Sequence, residues 1–344
     1  MHYSDNTKLL LKLLVSFSIA FVFCFSANAH EFKVHKDILW ASPKNFPLTA
    51  DIYVPQTGKK NYPVLVIYHG GGWLINTNAI MNSMSEYIAS HSDIIVANMN
   101  YRVMPSNNNT TTMNEIVEDV FGGVLWVKDN IAHYGGDPKR VAVTGDSAGG
   151  HLTAMLLMSG RKLESDGFAG KTLGFNPTYL PAGNTAEKIA KKDGLKIQAA
   201  VISYGAFDLY ETVKNGFETP SNFFWKFAKA EPRGLFGSNV NLDKNPDYYK
   251  AVSPIYNIPK RSQYKLPPQF VHVGSNDKLT TPELVKNYVD ALKKAGQPVE
   301  HKVYTGPNHA FLDGGTNDDL GNKFERDAPQ ALDDIISFLN KVLK

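Results

Sequence analysis

The sequence predicts an α/β domain built on a mainly parallel sheet with helices on both faces. Three observations carry that expectation. Short apolar runs that read as buried strands alternate with stretches of helical spacing. One run ends in Gly145-Asp146-Ser147-Ala148-Gly149-Gly150 and passes directly into a helical pattern. Another ends in His69-Gly70-Gly71-Gly72-Trp73.

The chain has 344 residues, 43% hydrophobic and 20% charged. That balance excludes wholesale disorder and a fibrous repeat, and the length suffices for a large core without staples. A net charge of +3, with no dense Lys/Arg tract, argues against nucleic acid or a membrane surface as partner. Cys24 is the single cysteine, which excludes a disulfide framework, a Cys-based zinc site and a CxxC redox motif within one chain.

Residues 1–29 read as a signal peptide. Lys8 and Lys12 form a basic start, and an apolar run over 13–25 is short for a bilayer span. Ala27-Asn28-Ala29 is a small-residue cleavage site, with His30 the expected new N-terminus. An uncleaved anchor is the alternative. Large Phe23 before Cys24 speaks against a lipoprotein. Cleavage removes the one thiol, which suits an oxidising, periplasmic or extracellular compartment. No stable membrane insertion of the mature chain is expected.

Residues 30–344 form the expected folded domain. Residues 32–40 and 48–54 read as early strands at a sheet edge, antiparallel. Runs at 63–68, 94–99, 140–144, 198–203, 269–273 and 301–304 read as further strands. Residues 112–131, 151–158, 282–294 and 328–343 read as helices. Thr112 to Ile131 places Ile116, Val117, Val120, Val124 and Val127 at helical spacing, and Gly135-Gly136 stops it. Two stretches interrupt the alternation, near 161–196 and 207–266. Both are too long for bare loops, so they read as insertions with structure of their own. They leave the core after successive strands, where binding elements of an open parallel sheet sit.

The spacing G-x-S-x-G around Ser147 has a mechanical reason. Its central residue must sit on a sharp, strained strand-to-helix turn, and the flanking glycines let that turn pack without Cβ clashes. Ser147 Oγ then stands free above the sheet as a nucleophile, with the following helix pointing N–H groups at a developing anion. The alternative is a turn whose serine merely caps the helix. The glycine run after His69 supports the first reading. An acyl-transfer site needs backbone N–H groups aimed at an oxyanion, and Gly70, Gly71 and Ala148 are the expected donors. His69 is expected to brace this loop. A phosphate cradle lacks its lysine.

With these motifs the sequence resembles the α/β-hydrolase superfamily, in its hormone-sensitive-lipase-like branch of carboxylesterases. The resemblance spans nearly all of residues 30–344. It rests on HGGGW, on the stretch from Asp93 to Tyr101-Arg102, on Tyr134-Gly135-Gly136-Asp137-Pro138, and on GDSAGG. It also rests on the closing acid and histidine described next. The resemblance implies an α/β-hydrolase fold with cap insertions and hydrolysis of carboxylic esters without metal or cofactor. Strands begin almost at once after the leader, where typical members carry a long helical cap.

In this fold the catalytic groups run Ser, acid, His along the chain. Four histidines follow Ser147: His151, His272, His301 and His309. His151 lies one turn beyond the serine on its own helix, and His272 and His301 lie inside strands. Only His309 sits in a loop directly after a strand, where a base can reach the serine. Two acids suit the remaining role, Asp277 after the strand at 269–273 and Asp208 one strand earlier. The resemblance favours Asp277. Asp313 reads as a solvated loop residue.

These residues predict a serine carboxylesterase acting through an acyl-enzyme. Its substrates are small esters, or acetyl and feruloyl decorations of polysaccharides. An arylformamidase-like amide hydrolase and a catalytically dead binding module are the alternatives. The aromatic insertion is expected to fold over the sheet and line an acyl or aryl pocket with Phe223, Phe224 and Trp225 beside Trp73.

Overall fold

The computed structural model describes residues 29–344. The expected leader and its cleavage site therefore lie outside the described residues, apart from Ala29. Eight strands form one sheet: β1 (Phe32–Ala41), β2 (Leu48–Pro55), β3 (Tyr62–Tyr68), β4 (Ile95–Met99), β5 (Gly136–Asp146), β6 (Ala199–Ser203), β7 (Gln269–Gly274) and β8 (Val299–Tyr304). Their spatial order is β1-β2-β4-β3-β5-β6-β7-β8. β1 pairs antiparallel with β2, and β2 antiparallel with β4. Every other neighbouring pair is parallel. The fold is thus an α/β-hydrolase fold with an antiparallel edge.

Composition explains the placement. All residues of β4, β6 and β7 are buried, which requires cover on both faces, and these strands are apolar almost throughout. β1 and β8 are half-buried or exposed along nearly their whole length, as edge strands are.

Eight helices frame the sheet and the site: α1 (Asn82–His91), α2 (Met113–Asn130), α3 (Ala148–Ser159), α4 (Leu209–Lys214), α5 (Phe223–Ala228), α6 (Pro246–Ala251), α7 (Pro282–Lys294) and α8 (Pro329–Val342). α2 packs on α3, and α1 on α8. A capping box starts α2: Glu115 Oε2 accepts from Thr112 N at 2.9 Å. α3 is buried along its whole length. Outside the 207–266 stretch, α1 is the one of these helices that sequence periodicity did not mark. Its buried face mixes Met84 and Ile88 with small Ser85 and Ala89, which is too weak a stripe to stand out. Among the described residues no helix is long and apolar enough to cross a membrane.

The 207–266 stretch holds α4, α5 and α6. The 161–196 stretch joins Leu163 to Phe175 by a bridge and docks Phe175 edge-on against Phe121 of α2. The carboxyl ends of β3, β5, β7 and β8 lead, in turn, into the glycine run, Ser147, Asp277 and His309. One rim of the sheet collects them all.

Candidate active site

Ser147 joins β5 to α3 with φ 50° and ψ −114°, a conformation that a non-glycine residue holds only under strain. Its N–H donates to Ser203 O at 2.9 Å, which fastens the turn to β6. A Cβ on Gly149 would overlap the Tyr68 carbonyl, and one on Gly145 would overlap Gly149. The glycines at these two positions are therefore steric requirements of the turn.

Ser147 Oγ lies 2.8 Å from His309 Nε2, and His309 Nδ1 lies 2.8 Å from Asp277 Oδ2. With Nδ1–H donating to the carboxylate, Nε2 is free to accept the serine proton. Asp277 is 3% exposed and well supplied with donors. Its Oδ1 accepts from the backbone N–H groups of Leu279 and Thr280, each at 2.9 Å. Thr280 Oγ1 donates to Tyr204 O at 2.7 Å and stands 3.1 Å from Asp277 Oδ2. The Tyr204 ring meets the His309 ring edge to face at 5.1 Å, and its hydroxyl accepts from Leu312 N at 3.1 Å. Asn322 Nδ2 donates to His309 O. Thr280, Tyr204 and Asn322 thus hold the acid and base in place. Sequence reasoning missed all three, because none lies in a motif and only tertiary folding brings them there.

Asp208, the other candidate acid, is engaged elsewhere. Its Oδ1 caps α4 by accepting from Glu211 N at 3.0 Å, and its Oδ2 accepts from Tyr256 Oη at 3.0 Å.

The glycine loop winds tightly. Gly71 has φ 114°, Gly72 φ 59° and Trp73 φ 61°. Gly71 O accepts from both Leu74 N and Ile75 N at 3.0 Å. The buried His69 stacks on Tyr101 at 4.3 Å, donates from Nδ1 to Gly70 O at 2.7 Å, and its carbonyl accepts from Tyr101 Oη at 2.6 Å. Burial pushes its pKa down to about 4, so it is a neutral brace.

Gly70 does not border the space around Ser147. It is pressed on the Asp146 carboxyl, which its N–H faces and which a Cβ would overlap. Gly71 and Gly72 are the glycines that line the cavities beside Ser147. Of the expected donors, Gly71 thus borders a cavity beside Ser147 while Gly70 faces Asp146.

Two cavities meet at Ser147 and His309. One, of about 390 Å³, runs past Gly72, Trp73 and Phe217. The other, of about 590 Å³, runs past Gly71, Asn76 and Asn317. Phe223, Phe224 and Leu279 border both. Trp225 borders neither. It is 1% exposed, and its Nε1 donates to Phe217 O at 2.8 Å, so it anchors the insertion instead of facing substrate. A helix turns adjacent side chains about 100° apart, which separates Trp225 from its two neighbours.

A strained serine on a strand-to-helix turn, in line with a buried histidine and acid at one rim of this sheet, places the chain among the α/β-hydrolases. The BD-FAE family model matches residues 50–292, and the chain belongs to that family. The chain is 27% identical over 300 residues to a probable isoprenylcysteine alpha-carbonyl methylesterase of Arabidopsis thaliana, covering 86% of this chain and 60% of that protein. It is 28% identical over 251 residues to a probable carboxylic ester hydrolase of Mycobacterium tuberculosis, covering 72% and 49%. The chain thus spans only half to three fifths of the length of these relatives. Esterase 2 of Thermogutta terrifontis, solved with propionate bound, has the same fold at a TM-score of 0.60 and 23% identity, over 92% of this chain and 96% of that one.

Proposed function

We propose that the chain is a serine carboxylesterase in which Ser147 is the nucleophile, His309 the general base and Asp277 the acid that orients it. The observation that carries this reading is the unbroken line of hydrogen bonds from Ser147 Oγ through His309 to Asp277, 2.8 Å at each step. His309 Nε2 takes the serine proton as Oγ attacks the ester carbonyl. The oxyanion is met by the N–H groups of Gly71, Gly72 and Ala148. His309 then protonates the leaving alcohol. Water, deprotonated by the same nitrogen, releases the acid from the acyl-enzyme. Asp277 keeps the imidazole in the Nδ1–H tautomer and stabilises its cation.

The names of the relatives, both ester hydrolases, support ester over amide chemistry. The substrate is a small carboxylic ester or an acetyl or feruloyl ester carried on a polysaccharide. Cavities of this size and partly aromatic lining suit an acyl or aryl group. The leader in the sequence supports a periplasmic or secreted site of action, and N-terminal sequencing of the exported protein should begin at His30.

A panel of p-nitrophenyl esters of graded chain length, run beside acetylated and feruloylated xylan and an aryl formamide, tests the reading. Ester turnover that is lost in Ser147→Ala is expected. Turnover of the formamide alone would contradict it.

A further inference from the structure

We infer that Asp146 and Asp313 share a single proton beneath the site, and that this shared proton positions the glycine loop and the His309 loop relative to Ser147. The inference rests on the esterase reading only for its kinetic consequences. Asp146 precedes the nucleophile and is 1% exposed. Asp313 lies four residues beyond His309. The two carboxyls face each other, and Oδ1 of each is buried with no donor aimed at it, although Asp313 as a residue is only half-buried. Among the described residues no lysine or arginine forms an ion pair with either acid.

Two carboxylates in contact, buried and without a cation, cannot both stay ionised. One proton held between them gives each orphan oxygen a partner and forms a charge-assisted hydrogen bond. Burial raises both groups, Asp146 to about 6 and Asp313 well above the usual range, and Asp146 adds repulsion to the second. The pair titrates as one unit.

Three segments meet at this pair. Asp146 ends β5, the Gly70 N–H of the glycine loop faces its carboxyl, and Asp313 closes the loop that carries His309. Ionisable groups facing the pair are His309, which favours the ionised form of Asp146, together with Tyr101, Tyr204 and Asp277. Both residues border the larger cavity and Asp313 is half-buried, so the proton can leave to solvent by way of Asp313. When it does, the product is two carboxylates and a free proton. Their repulsion then opens the contact between the loops. Asp146 and Asp313 are positioning residues, since neither touches the reacting atoms.

Infrared titration and pH-dependent kinetics test this together. The folded wild-type protein should show the carbonyl stretch of a protonated carboxyl that persists well above the ordinary aspartate pKa of about 3.9. As that band is lost at higher pH, kcat should fall while KM changes little. Asp313→Asn supplies a permanent N–H donor to Asp146, so the pair's share of the band, read as the difference from wild type, and the alkaline fall in kcat should vanish, while Glu118, which burial raises to about 7, contributes equally to both proteins. Asp313→Ala supplies no donor and should lower kcat by up to about 100-fold at every pH, the cost of loops out of register. Asp146→Asn should also remove the pair's share of the band, which serves if Asp313→Asn does not fold. A folded wild type without the band, or an Asp313→Asn protein whose band and pH profile do not differ from the parent's, would overturn the inference. The band does not depend on turnover, so its presence in a protein that cleaves no ester would sink the esterase reading and leave the shared proton standing.

Discussion

Trp73 Nε1 donates to His151 Nδ1 at 3.1 Å, so the loop after β3 is tied directly to the helix that carries the serine turn. His151 passes the connection on, since its Nε2–H donates to Val252 O at 2.7 Å. One neutral imidazole thereby joins the glycine loop, α3 and the 207–266 insertion. Burial pushes its pKa down to about 4, so it accepts and donates at once without charge. Trp73 is both a cavity wall and a strut.

Replacing that strut has a defined cost. Trp73→Phe keeps an aromatic wall and strips His151 Nδ1 of its donor in a buried site. Stability should fall by about 1–3 kcal/mol in urea denaturation, the penalty of one unsatisfied buried polar group. Ester turnover should fall as well. Unchanged stability would show that the bond contributes nothing to holding the loop.

The two candidate acids should separate cleanly. Asp277→Asn leaves the fold intact but offers the imidazole an amide, which favours the wrong tautomer, so kcat should drop by about 10⁴. Asp208→Asn retains a capping oxygen for Glu211 N, and kcat should stay near the parent value. Steady-state kinetics on any soluble ester decides this, and reversed behaviour of the two variants would move the acid to Asp208.

The insertion should divide by residue. Phe223 is 45% exposed and borders both cavities, so Phe223→Ala should shift chain-length preference by about 1–3 kcal/mol with little effect on melting. Phe224→Ala should do the same and also uncover Gly72, whose α-carbon faces that ring. Trp225→Ala should lower stability by about 3–5 kcal/mol, as for a large buried aromatic. Thermal melts beside an ester chain-length series would show whether Trp225 instead controls specificity.

Acid should weaken the fold through its buried histidines. Burial pushes His69 and His151 to about 4 and His272 to about 3. Each is neutral in the folded state, whereas the unfolded chain takes up a proton near pH ~6.5. Their stabilisation is complete above that value and is lost as pH falls toward the folded values, by on the order of 3 kcal/mol each. The raised pKa values of the Asp146–Asp313 pair act with opposite sign, since stability from its proton is lost as pH rises through the folded pKa. Denaturation free energies measured at steps between about pH 6.5 and 4 should fall, and His272→Phe should show the shallower slope of one proton fewer.

The central features of this site were legible because they are local. A serine on a strained turn needs glycines two residues to either side, and a base after a strand needs its loop, so both leave marks in the sequence. The strands from β3 to β8 were legible as apolar runs separated by helical patterns, though their spatial order was not. What was not legible depends on contacts distant in the chain. Thr280, Tyr204 and Asn322 belong to no pattern. Asp313 reads as a solvated loop acid, yet the turn after His309 leaves it half-buried, with its Oδ1 covered and its carboxyl facing Asp146. The choice among Gly70, Gly71 and Gly72 turns on peptide orientation, and that of Trp225 against Phe224 on a single helical step.

The most direct measurement is the mass of the intact protein after treatment with a fluorophosphonate, followed by peptide mapping. Attack by an activated serine displaces fluoride and leaves one phosphonyl group on the nucleophile. One adduct per chain, on Ser147, absent from Ser147→Ala and slowed in His309→Ala, is the result this account predicts. A folded protein that takes up no label, or labels at a residue other than Ser147, would contradict it.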